Sequence, residues 1–132
     1  MSESIRSSAS PLRFVIIPAY RPDERLVGLT AEVLSLGYGV IVIDDGSGAE
    51  FSPVFEALDS RVTILRHEKN RGKGAGIKTG LSYVQEENRK SSDPFEQIRF
   101  VCIMDADGQH LPVDMERVMA AAEEHPTGLT LG

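Results

Sequence analysis

The stretch Val40-Ile41-Val42-Ile43-Asp44-Asp45-Gly46-Ser47 decides the fold. Four consecutive β-branched apolar residues are too short a run for a helix and read as a strand buried on both faces. The abrupt change to two acids, a glycine and a serine marks where that strand leaves the core. The same pattern recurs on either side. Phe14-Val15-Ile16-Ile17 ends at Pro18-Ala19-Tyr20. Val62-Thr63-Ile64-Leu65 precedes a glycine-rich turn, Asn70-Arg71-Gly72-Lys73-Gly74-Ala75-Gly76. Phe100-Val101-Cys102-Ile103-Met104 runs into Asp105-Ala106-Asp107-Gly108-Gln109-His110.

Between these runs the apolar period changes to that of a helix. Leu26, Leu29, Val33 and Leu34 share one face, with Pro22 suited to the first turn and Gly37 and Gly39 to the stop. A short helix opens at Ser52-Pro53 and holds Val54, Phe55 and Leu58. Ile77, Leu81 and Val84 line a helix that follows the glycine-rich turn. Residues 86–99 are polar and read as a surface connection. Pro112 opens a helix carrying Met115, Val118, Met119 and Ala122, and residues 128–132 read as the start of a fifth strand. Strands alternating with helices predict an α/β fold: a mostly parallel sheet in a three-layer α/β/α arrangement. One domain is expected over residues 12–132, behind a serine-rich, disordered lead-in at 1–11.

Composition narrows the function. The chain has 132 residues, with 14 Lys and Arg against 20 Asp and Glu, a net charge of −6. That balance excludes a binder of nucleic acid with a basic face. The single cysteine, Cys102, rules out an intrachain disulfide framework and a thiolate metal cluster. It lies in an apolar run, as a buried inert thiol would, and fits a cytoplasmic protein. No apolar stretch approaches the roughly 20 residues of a membrane span, so no transmembrane segment is expected.

In a parallel sheet all carboxyl ends point the same way, and open α/β sheets bind ligands just outside them. Four acids, Asp44, Asp45, Asp105 and Asp107, would therefore gather on one edge. Their mutual repulsion requires a cation or hydrogen-bond donors in compensation. Asp105 and Asp107, two apart at a strand exit, can face one cation, and Gln109 adds a neutral oxygen. Hard oxygen ligands of this kind suit Mg²⁺ or Mn²⁺. The plainer alternative is that both aspartates are solvated turn formers. Tyr20 could stack on a base or merely cover the sheet edge. Asp45 could accept from a ribose hydroxyl or a base N–H, or Asp44, Asp45 and Ser47 could cap the turn. Amides at the glycine-rich helix start could approach a phosphate, with Lys73 or Arg71 adding charge. The glycines there could equally serve close helix packing. His67 and His125 carry little signal, and His110 is notable only for its acidic neighbourhood.

Taken in order, Ile17-Pro18-Ala19-Tyr20, Val42-Ile43-Asp44-Asp45-Gly46-Ser47, Asn70-Arg71-Gly72-Lys73-Gly74 and Asp105-Ala106-Asp107-Gly108-Gln109-His110 resemble family 2 glycosyltransferases of the GT-A fold. The polyprenyl-phosphate sugar synthases are the most similar branch. The resemblance implies a nucleotide-sugar donor, UDP- or GDP-linked, a divalent cation, and inverting displacement at the anomeric carbon. It gives the nucleotide to Pro18, Ala19, Tyr20, Ile43, Asp45, Lys73, Asp105 and Ala106, and the metal to Asp105, Asp107 and Gln109. It implies an acceptor that is a lipid-linked phosphate or a saccharide, and a place in the cytoplasm or at the cytoplasmic face of a membrane. Pro22 stands where such proteins often carry an acid, with Asp23 or Glu24 as the nearest replacement. The resemblance covers only a donor-binding half, truncated at the fifth strand, so a catalytic base is expected beyond residue 132.

Other readings fit less well. Gly72 to Thr79 nearly matches a phosphate-binding P-loop, but Ile77 replaces its second glycine. A phosphatase or phosphomutase with Asp105 as nucleophile and Asp107 as acid would carry Thr or Val where Gln109 stands. A calcium loop through Asp105, Asp107, Gln109 and Glu116 lacks the glycine at its sixth position, where His110 stands. A non-catalytic nucleotide-binding module is the remaining alternative.

Overall fold

The computed structural model describes residues 13–91, 98, 100–104, 106 and 129–131. The lead-in, the segment 92–97 and the helix expected from Pro112 lie outside the described residues. Strand β1 (Arg13–Ala19) is followed by helix α1 (Arg25–Ser35) and strand β2 (Gly39–Asp45). A 3-10 turn at Ala49–Phe51 leads into helix α2 (Ser52–Glu56), then strand β3 (Thr63–His67) and helix α3 (Lys73–Lys90). Strands β4 (Phe100–Ile103) and β5 (Leu129–Leu131) complete the sheet.

The strand order is β3-β2-β1-β4-β5, and each neighbouring pair is parallel. The chain winds outward from β1 to β3, then crosses back to place β4 on the other side of β1. The reversal of strand order therefore falls between β1 and β4, where a doubly wound sheet opens its ligand crevice.

Alternation along each strand separates two cores. Val15, Ile17, Ala19, Val40, Val42 and Cys102 point to the face covered by α1 and α2, against Leu26, Leu29, Val33 and Phe55. Phe14, Ile16, Ile41, Ile43, Val101 and Ile103 point to the other face, against Val84, Ile77 and Leu81 of α3. Helices on both faces make the expected three layers. Each such fully buried aliphatic side chain contributes about 1.5–3 kcal/mol, and burial pushes the Cys102 thiol pKa up, as suits an inert core residue.

Three boundaries differ from the sequence expectation. Helix α1 begins at Arg25, so buried Pro22 lies in the loop before it and not in its first turn. Strand β3 runs past Leu65 to His67, because its ladder with β2 continues through Asp44↔Arg66 and Asp45↔His67. Helix α3 extends through residues 86–90, which had read as surface connection. Its last turns are solvated and carry the ion pairs Glu86–Arg89 and Glu87–Lys90. Asn88 there both donates to the Ile98 carbonyl at 3.0 Å and accepts the Ile98 N–H at 2.7 Å, tying the helix end to the approach of β4.

Two glycines set how close α3 lies to the sheet. A Cβ on Gly76 would stand 3.3 Å from the Pro18 Cβ, and one on Gly80 would stand 2.8 Å from Ile16 Cγ2. Gly28 of α1, by contrast, has open space around its missing Cβ. Gly80→Val should therefore lower the unfolding free energy by about 2 kcal/mol through overpacking. Gly28→Ala should raise it by about 0.5–1 kcal/mol through helix propensity. Urea titration of both variants checks the pair.

Candidate functional site

Three loops meet at the carboxyl edge, and the motif Asp44-Asp45-Gly46-Ser47 holds them together. Asp44 Oδ1 accepts the Ser47 N–H at 3.1 Å, which closes the turn after β2. The Ser47 hydroxyl, buried with its residue, accepts the Arg21 N–H at 2.9 Å from the loop after β1. Ser47 is thus a tie between loops and more than a cap. Gly46 has φ +73°, and a Cβ on it would meet the backbone of Lys69 and Asn70 at 2.4 Å. Only glycine lets the loop after β2 lie against the loop after β3.

Asp45 lies between these loops with its side chain 5% exposed. Oδ1 is 2.8 Å from His67 Nδ1 and accepts the Arg71 N–H at 2.9 Å. Oδ2 accepts the Gly72 N–H at 2.9 Å and the Asn70 side-chain amide at 3.2 Å. Each oxygen has two donors, so the carboxylate is saturated by its own protein. Burial alone would raise its pKa; the hydrogen bonds from His67 and the Arg71 and Gly72 amides outweigh that and hold it below the ordinary value of 3.8. The acidic cluster expected at this edge is therefore partly neutralised by donors rather than by a cation.

Residues gathered at the same edge include Pro18 and Ala19 of β1 with Tyr20 just beyond it, Ile43 and Asp45 of β2, and Lys73 at the start of α3. Pro18 stands opposite Ile43, and Ala19 opposite Asp44. Ile43 is fully buried and packs under α3, while Tyr20 is 48% exposed, with the Arg21 guanidinium 5.2 Å from its ring centroid. Arg21 itself adopts φ +51°, which turns the loop over at this point. Asp23 accepts the Arg25 N–H at 3.0 Å and pairs with its guanidinium, so it serves the entry to α1. Strand β4 leaves the sheet beside β1, where the Met104 N–H donates to the Ile16 carbonyl at 3.0 Å. Ala106, just beyond, packs against the core on the α1 side. Asp105, Asp107, Gln109, His110 and Glu116 lie outside the described residues. Among the described residues, no group of three His, Cys, Asp or Glu side chains could hold a metal.

Sequence reasoning missed His67, Asn70 and Thr79. His67 Nε2 lies 2.7 Å from Thr79 Oγ1 on α3, so its ring bridges sheet and helix. The pairing follows from register, which the fold sets: with β2 and β3 parallel, the residue across from Asp45 is His67. The P-loop alternative, already the poorer fit to the sequence, is not supported here. Residues 73–79, which would have to wrap a phosphate as a loop, form the first two turns of α3, and Lys78 is exposed mid-helix.

The fold is that of a layered α/β domain with a parallel sheet whose strand order reverses beside β1. Residues 14–132 match the family Glycosyl transferase family 2, and the chain belongs to it. It is 34% identical over 108 residues to an uncharacterized protein of Methanocaldococcus jannaschii, a match that covers 80% of this chain and 40% of that one. It is 27% identical over 127 residues to UDP-N-acetylglucosamine--dolichyl-phosphate N-acetylglucosaminyltransferase of Methanococcus voltae, covering 84% of this chain and 47% of the relative. It is 29% identical over 128 residues to undecaprenyl-phosphate 4-deoxy-4-formamido-L-arabinose transferase of Salmonella choleraesuis, covering 88% and 36%. The chain spans less than half the length of these relatives. Among the described residues no helix is long and apolar enough to cross a membrane.

Asp45→Ala strands four donors in a buried site and should destabilise the domain by about 3 kcal/mol. The carboxylate's folded pKa is depressed, so its contribution is complete above the ordinary value of 3.8 and lost as pH falls through the lower folded value. Urea unfolding from pH 7 down to pH ~2 should therefore show the gap between wild type and Asp45→Asn closing only at the acid end.

Proposed function

We propose that this chain forms the donor-binding part of a glycosyltransferase that moves a sugar from a nucleotide diphosphate to an acceptor, a lipid-linked phosphate being the favoured class. The observation that carries this reading is the reversal of strand order between β1 and β4, flanked by the braced loops after β1, β2 and β3. Family membership supports it, as do the names of two relatives, one a dolichyl-phosphate and the other an undecaprenyl-phosphate sugar transferase.

The roles follow from position. Tyr20, half exposed beyond the end of β1, offers a ring on which a uracil or guanine base can stack. Pro18, Ala19 and Ile43 would contribute backbone at the strand ends beneath the nucleoside, since Ala19 and Ile43 bury their side chains on opposite faces of the sheet. Asp45 serves the nucleotide through the loop it holds, because its own lone pairs are engaged by Asn70, Arg71, Gly72 and His67. Lys73 and the first amides of α3 lie on the side where a diphosphate's charge would be received.

Asp105, Asp107 and Gln109 come after β4 in the sequence, and β4 is the strand on the other side of the reversal. Two carboxylates and an amide oxygen are a hard donor set, which fits Mg²⁺ or Mn²⁺. They would hold a cation that supplies Lewis-acid stabilisation of the charge on the departing diphosphate. Ala106, between the two acids in the sequence, packs against the core on the α1 side. The acceptor attacks the anomeric carbon from the face opposite the diphosphate, which inverts the configuration there. The setting is the cytoplasm or the cytoplasmic face of a membrane.

Calorimetry with UDP-sugars and GDP-sugars, with and without Mn²⁺, tests the reading. Binding of one of the two classes is expected, weakened about tenfold or more when the cation is withheld. Tyr20→Ala should raise the Kd by about tenfold through lost stacking. Asp105→Ala and Asp107→Ala should each remove the dependence on Mn²⁺. Cation-dependent affinity that survives both substitutions would mean the metal is held elsewhere.

A further inference from the structure

The carboxyl edge contains a buried titratable side chain that neither the motifs nor the family comparison assigns. His67 closes β3 with its side chain 5% exposed, next to an Asp45 side chain that is equally buried. Both ring nitrogens are engaged: Nδ1 lies 2.8 Å from Asp45 Oδ1 and Nε2 lies 2.7 Å from Thr79 Oγ1. One end of the imidazole is thus attached to the sheet and the other to the second turn of α3.

Chemistry fixes the protons. Asp45 accepts N–H bonds from Arg71, Gly72 and Asn70, which an ionised carboxylate does best. Its Oδ1 can accept from His67 only if Nδ1 carries a hydrogen. In the neutral ring Nε2 is then an acceptor, and the Thr79 hydroxyl donates to it. In that tautomer the chain of donation runs from Thr79 to His67 to Asp45. Asp45 in turn fixes the amides of Arg71 and Gly72, and Gly72 is the residue from which α3 starts, with φ +97°.

We propose that His67 is a positioning residue: held as the Nδ1–H tautomer between Thr79 and Asp45, it sets the orientation of the Asp45 carboxylate and so the shape of the Asn70–Gly72 loop. Its consequence for ligand affinity rests on the donor reading above. A carboxylate with two oxygens can rotate to satisfy its neighbours in several ways. A ring anchored at both ends leaves one orientation in which all four donors are met. The loop therefore stands preformed at the crevice and does not have to be ordered by the ligand, which lowers the cost of binding.

Three measurements on the full chain test this. The ¹⁵N shifts of the His67 ring near neutral pH should report the Nδ1–H tautomer. In His67→Ala, hydrogen exchange at the Arg71 and Gly72 amides should speed up by about tenfold or more, beyond any change at core amides of β1 and β2. His67→Asn, whose side-chain amide can donate to Asp45 from near the Nδ1 position, should recover most of that protection. Thr79→Val should show a smaller acceleration at the same two amides. An Nε2–H ring, or wild-type protection of both amides in His67→Ala, overturns the proposal. If His67→Ala does not fold, Thr79→Val carries the test, and unchanged exchange at both amides there overturns it equally. Affinity for the donor sugar nucleotide should fall about tenfold in His67→Ala and return in His67→Asn. A wild-type chain with the expected tautomer and exchange pattern but no affinity for UDP- or GDP-sugars removes the donor reading and leaves the role of His67 in place.

Discussion

The buried carboxylate of Asp45 is the constraint on which the site depends. A charge taken out of water is costly unless its lone pairs are met. Here four donors from one short segment, residues 67–72, meet them. The bargain works in both directions. Asp45 becomes affordable inside the protein, and a glycine-rich loop with no regular hydrogen bonds of its own acquires a defined course. The amides of Arg71 and Gly72, which would otherwise be unpaired ahead of a helix with no side-chain cap, find partners there.

That loop in turn delivers α3 to the sheet. The helix can lie low over β1 and β2 because Gly76 and Gly80 present no side chain to Pro18, Ile43 and Ile16. Bulk at either position would lift the helix and carry its first turn away from the ends of β1 and β2. The loop after β2 fits by the same logic, since Gly46 lies against the backbone of Lys69 and Asn70. Close approach is what these three glycines supply, of backbone to backbone at Gly46 and of helix backbone to side chains of the sheet at Gly76 and Gly80. The other brace is Ser47, which holds the loop after β1 through the Arg21 amide and leaves Tyr20 standing beyond the edge.

These braces lie on the β2–β3 side of β1, and the reversal of strand order places β4 on the other side. On the proposed donor-binding reading, a nucleotide at the reversal would have the braced loops on one side and strand β4 on the other. The division of labour among the acids follows. Asp44 closes a turn and Asp45 secures a loop, both using donors of the protein itself. The negative charge proposed for a cation is that of Asp105 and Asp107.

The layered α/β architecture was legible in the residues because it rests on local periodicity. Apolar runs such as Val40 to Ile43 specify strands buried on two faces, and Leu26, Leu29, Val33 and Leu34 specify one face of a helix. The motifs at strand ends were legible too, since a parallel sheet sends all of them to one edge. Strand order was not, because nothing in a run of valines and isoleucines states which neighbour it pairs with. Nor did the residues disclose that Asp45 faces inward, that His67 is its partner, or that α3 continues to Lys90. Those outcomes depend on contacts between segments 10 to 27 residues apart, such as Asn88 with Ile98, His67 with Thr79 and Asp45 with Gly72. Burial and hydrogen-bond saturation exist only once the chain has folded and brought those segments together.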